Sequence, residues 1–175
     1  MALVPANAAA AIRAAYQDVA SIGAEGLPTG TPAIGDFPAD FAAAYNAYAS
    51  AGVVPGAANS GGDVSILEAV LSSGGNITPG IFAQAFADFW ATVAIDPGTP
   101  AHGGTAVVSV VNNAAALAGT FQSAITASMT STEQTPWYQH FIANVESMAV
   151  SAIVWTITEL VGSPPSPANF PEGIQ

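Results

Sequence analysis

Apolar positions recur at helical spacing along most of the chain. Over residues 5–22, Ile12, Tyr16 and Val19 fall at i, i+4 and i+7 in an alanine-rich stretch. Pro5 sits in the first turn, where its missing N–H costs nothing, and Gly23 and Gly26 close the helix. A second helix begins at Asp36 or Phe37 and lines up Phe41, Tyr45 and Tyr48 before Gly52 stops it. A third, over residues 63–73, has Asp63 as N-cap and Gly74 as stop, with Ile66, Leu67, Val70 and Leu71 as its buried face. Thr78-Pro79 is a strong helix start. It opens a fourth helix, residues 79–95, carrying Phe82, Phe86, Phe89, Trp90 and Val93. Irregular Gly/Pro-rich connections lie at residues 26–36 and 53–62.

The next stretch dominates the reading. Residues 97–132 contain no Asp, Glu, Lys or Arg. Within them, residues 105–129 read as one long helix of small and apolar side chains. Val107–Val111 is β-branched and fits a strand as well, but the composition of residues 114–129 favours helix throughout. A surface helix normally carries charge on its solvent face. This one carries none, so it is expected to be central, or covered by another subunit. Thr135-Pro136 starts a sixth helix over residues 136–161. Its stripes are Trp137, Phe141, Val145, Met148, Ala152 and Trp155, and Tyr138, Ile142, Ala149, Ile153 and Leu160. Residues 163–175 read as an extended Pro-rich tail of polyproline character. The two Thr-Pro starts do not extend into a repeat. The expectation is a single all-α domain of about six helices over residues 1–162, followed by the tail.

Charge narrows the function. Charged residues make up only 7% of the chain, with 12 acids against one cation, Arg13, for a formal net charge of −11. Such a chain has almost nothing with which to neutralise phosphates, so neither nucleic acid nor anionic lipid is expected as a partner. No cysteine is present, which removes disulfides and thiolate chemistry. The first residues lack the basic segment of a signal peptide. No run reaches the ~18 apolar residues of a membrane span.

Candidate chemistry is sparse. His102 lies in a Gly/Pro loop and His140 in the first turn of helix six; with Glu133 they form no metal-ligand spacing. No nucleophile elbow occurs, there is no lysine, and Gly74-Gly75 and Gly103-Gly104 lack the features of a phosphate loop. No catalytic residue, cofactor or metal is expected. The tryptophans Trp90, Trp137 and Trp155 read as core before ligand pocket. Arg13 is expected to pair with Asp18 or across an interface. Ala114, Ala115, Ala118, Gly119 and Ser123 fall at close helical spacing and would let a partner helix approach, with Asn112, Asn113, Thr120, Gln122 and Thr126 available for hydrogen bonds. Trp137, Trp155 and Phe170 complete the expected interface set. Together these features lead to a non-enzymatic structural subunit that assembles with copies of itself and with other structural proteins. The expected setting is a bacteriophage-like virion (capsid, decoration, connector or tail) or another extracellular assembly. The alternatives are an extracellular pH-responsive self-assembly module and a small-molecule-binding helical bundle.

Overall fold

The computed structural model describes residues 3, 9–10, 12–13, 37–52, 58–129 and 137–174. Ala9, Ala10, Ile12 and Arg13 are helical. Five further helices follow: α1 (Phe37–Ser50), α2 (Val64–Ser72), α3 (Pro79–Thr92), α4 (Ala118–Met129) and α5 (Trp137–Met148). Their starts obey the local chemistry. Asp63 caps α2, its Oδ1 accepting from Ser65 N at 3.0 Å. Thr78 caps α3, with Pro79 in the first turn.

The fold is not all-α. A three-stranded antiparallel sheet, in order β3-β4-β5, is built from Ala106–Asn112, Val154–Val161 and Ser166–Gly173. A two-stranded ribbon pairs β1 (Ala58–Asn59) with β2 (Ile95–Asp96). Three expectations are corrected together. Residues 105–129 are not one helix: β3 gives way to a 3-10 turn, Ala114–Leu117, and only then to α4. The sixth helix ends at Met148, and residues beyond Ile153 are strand. The Pro-rich tail is a paired strand, β5.

The physical reason lies in β4. Ile153, Trp155, Ile157 and Glu159 are all buried, while Val154, Thr156, Thr158 and Leu160 are only half-buried. That is a period of two, set by β-branched residues that lose rotamer freedom in a helix. The helical spacing of Ile153 and Ile157 is a coincidence of four being a multiple of two. Proline is accommodated in β5 because β5 is an edge. Ala168, Phe170 and Glu172 lie opposite Glu159, Ile157 and Trp155, the β4 residues whose main chains face β5. Pro167 and Pro171 therefore direct their missing donors outward.

The core joins helices to sheet through aromatic rings. α2 packs against both α1 and α3, and α4 against both α3 and α5. Phe86 on α3 meets Tyr45 edge-on at 4.8 Å and Phe82 at 4.9 Å, and touches Phe121 and Phe141. Trp90 and Trp155 meet edge to face at 6.4 Å, so α3 bears directly on β4. Asn112 Nδ2 donates to Trp90 O at 3.1 Å and locks the end of β3 to the end of α3.

Candidate functional site

The alternation of β4 puts one carboxylate, Glu159, on the same inward side as Ile157 and Trp155. Glu159 is fully buried. A buried carboxylate needs several donors, and the loop before β3 supplies them. Ala101 N donates at 2.8 Å, Gly104 N at 3.1 Å and His102 N at 3.2 Å. His102 Nδ1 lies 3.0 Å from Glu159 Oε1. The two glycines make the wrap possible. Gly103 adopts φ +82°, and a Cβ on Gly104 would come within 2.7 Å of Glu159. The pair Gly103-Gly104 therefore cradles an anion, one that belongs to the chain itself.

His102 bridges two carboxylates. Its Nε2 lies 2.9 Å from Glu172 Oε1 on β5, and its ring stacks on Phe170 with centroids 4.1 Å apart. Each ring nitrogen faces a carboxylate oxygen, an arrangement that both nitrogens satisfy as donors when the imidazole is protonated. Hydrogen bonds from Glu172 and Glu159 accordingly raise the His102 pKa above its usual 6.5. Burial pushes the Glu159 carboxyl up, but the bonds from His102 and from the amides of Ala101, Gly104 and His102 outweigh it and hold the pKa below its usual 4.5. With both nitrogens occupied, His102 is not placed to act as a general base. Among the described residues no three His, Asp or Glu side chains converge as metal ligands. The constellation works as an ionic latch that fastens the loop of residues 97–105 across β4 and β5.

A second polar cluster lies between α1 and α5. Trp90 Nε1 donates to Tyr45 Oη at 3.0 Å, both side chains being fully buried. Tyr48 Oη donates to Glu146. Burial raises both tyrosine pKa values, and it raises that of Glu146 against the opposing bond from Tyr48.

A pocket of about 350 Å³ opens between α3, α4 and α5, lined by Ile77, Pro79, Phe82, Ile125, Met129 and Phe141 with Thr78 and Ser128. Thr78 Oγ1 already accepts from Ile81 N, and Ser128 Oγ already donates to Ala124 O.

The expected interface residues scatter. Ala114 is buried in the 3-10 turn and Trp155 in the core. Ala115, Gly119 and Ser123 are exposed, Ala118 is half-buried, and a Cβ on Gly119 would meet nothing within 4 Å. The small-residue side of α4 thus faces away from its own helices, while Phe121, Ala124 and Ile125 face inward. Phe170 belongs to the latch. Trp137 opens α5, but its side chain, like that of His140, lies outside the described residues, as do Glu133 and Asp18; Arg13 is exposed. The latch was missed because its members sit 57 and 70 residues apart and only the sheet brings them together. One signal was present: a carboxylate at the inward parity of an apolar alternation. Among the described residues no helix is long and apolar enough to cross a membrane. Comparison with protein-family models, with curated proteins and with solved structures finds no match for the chain.

Proposed function

We propose that the chain is a non-enzymatic structural subunit that assembles with copies of itself and with other structural proteins. One observation supports the reading most. In a chain of net charge −11, the exposed positions of β3 and α4 carry no charge. They include Val108, Val111, Gly119, Gln122 and Ser123, and Met129 ends α4 with most of its side chain in solvent. Strongly acidic copies repel one another over most of their surface. A charge-free region is where they can approach. The setting we propose is a virion of bacteriophage type, in which such a chain acts through shape and contact. Sedimentation of the purified chain over a concentration series tests the reading. Species larger than the monomer are expected, and a monomer at every concentration would overturn it.

A second reading, a self-assembly module governed by pH, is favoured by the charge balance: 12 acids against one cation repel between copies, and protonation of carboxylates relieves that repulsion. Under that reading oligomer size changes sharply between pH 7 and pH 5; an unchanged size counts against it.

A further inference from the structure

The two edges of the main sheet differ chemically. Asn113 N donates inward to Val154 O, so the main chains of Val111 and Ser109 also face β4, while those of Val110 and Asn112 face outward. The outward positions of β5 include Pro167 and Pro171, which cannot donate to a further strand. No proline, acid or base lies in β3. Its outer edge pairs with no strand among the described residues. Val108 and Val111 stand beside it 55% and 61% exposed. A groove of about 280 Å³ runs along the same edge, between Val110–Asn112 and residues 91–95. Proteins usually blunt such edges with charge or proline. Among the described residues, one edge is blunted and the other is unpaired and uncharged.

We infer that β3 is the strand through which two copies of this chain pair, antiparallel and edge to edge, into one continuous sheet. The inference rests on the self-assembly reading and names its contact. A second copy is the occupant that the charge pattern selects. A two-fold contact brings each surface onto itself, so two acidic chains meet without facing carboxylates only where the shared strand has none. β3 satisfies that condition over its whole length. Mutual hydrogen bonding of Val110 with the copy's Asn112, and of Asn112 with the copy's Val110, places the two-fold axis at Val111. The two Val111 residues then form a facing pair that is not hydrogen-bonded, with Cα atoms about 4.5 Å apart.

Sedimentation velocity and thiol cross-linking of the full chain test this. Val111→Glu sets like charges against each other across the axis, and association is expected to weaken at least about tenfold. Val111→Thr on the same strand and Asn169→Glu on the blunted edge are expected to associate like wild type. The native chain has no cysteine, so Val111→Cys supplies a single thiol. It is expected to give a disulfide-linked dimer on mild oxidation, since facing Cα atoms lie within the ~4.4–6.8 Å a disulfide spans. Circular dichroism confirms that each variant folds; if Val111→Glu does not, the cross-link decides. If wild type associates while Val111→Glu does so equally well, or Val111→Cys fails to cross-link, β3 pairing is wrong and the self-assembly reading stands. A wild-type monomer at all concentrations overturns both.

Discussion

Alternation along β4 predicts a sawtooth of stability effects. Ile157 is fully buried, while Thr156 points to the opposite, half-exposed face. Ile157→Ala deletes three carbons, worth ~0.8 kcal/mol each in transfer, so about 2.4 kcal/mol before any cavity term. The full cost falls in the range of about 2–5 kcal/mol. Trp155→Ala, which also abolishes the edge-to-face contact with Trp90, is expected to cost about 3–5 kcal/mol. Thr156→Ala opens no cavity and loses at most the β-preference of threonine, under about 1 kcal/mol. At about 2–4 °C per kcal/mol for a chain of this size, Ile157→Ala lowers the Tm by roughly 4–20 °C and Thr156→Ala by no more than about 4 °C. Differential scanning calorimetry with urea unfolding followed by tryptophan fluorescence reads both. A helix would send Trp155 and Ile157 to nearly opposite sides, about 200° apart. The strand is refuted if one of those two proves neutral, or if Thr156→Ala costs as much as Ile157→Ala.

Other perturbations address the polar clusters. Tyr45→Phe strands the buried Trp90 N–H and is expected to cost about 1–3 kcal/mol in urea unfolding; a neutral result would show that the bond is not formed. His102→Gln removes the cationic half of the latch. The raised His102 pKa makes its contribution complete below 6.5 and lost as pH rises through the folded value; the lowered Glu159 pKa makes its own complete above 4.5 and lost as pH falls through the folded value. The Tm gap between wild type and variant should therefore be widest from pH 4.5 to 6.5 and narrow on either side; a gap independent of pH would contradict the latch. Glu146 has the opposite sign. Burial raises its pKa, so its ionisation opposes folding as pH rises above the usual 4.5. Glu146→Gln should gain on wild type between pH 4 and pH 7, and a Tm difference that moves the other way would show that the bond from Tyr48 dominates.

The helices were legible in the sequence where local chemistry sets their ends. Asp63, Thr78-Pro79 and the stop at Gly52 act on groups a few residues away, and neighbouring residues suffice to read them. The sheet was not legible for two reasons. Val107–Val111 is β-branched, but the alanines that follow favour helix and mask the boundary; it falls at Asn112 and Asn113, where Asn112 Oδ1 accepts from Ala114 N. The spacing of Trp155 from Trp137 and Phe141 suits a helix, and a buried tryptophan fits either period. Pro167 and Pro171 argued against any strand, although both occupy positions where an edge strand needs no donor. The latch failed to appear for the same reason as the sheet. His102 reads locally as a loop residue, and it and Glu159 take their roles only once β4 and β5 pair. The absence of charge over residues 97–132, by contrast, is legible from composition alone, whereas which of them lie at the surface depends on the fold: Ala114, Phe121, Ala124 and Ile125 are buried.

Self-association through that uncharged surface is most directly tested by sedimentation velocity on wild type and Val111→Glu side by side, at neutral pH and over one concentration series. Wild type is expected to sediment as a concentration-dependent mixture of monomer, dimer and larger species, with the variant's association weakened at least about tenfold over the same range. A wild-type chain that stays monomeric throughout would contradict the proposal.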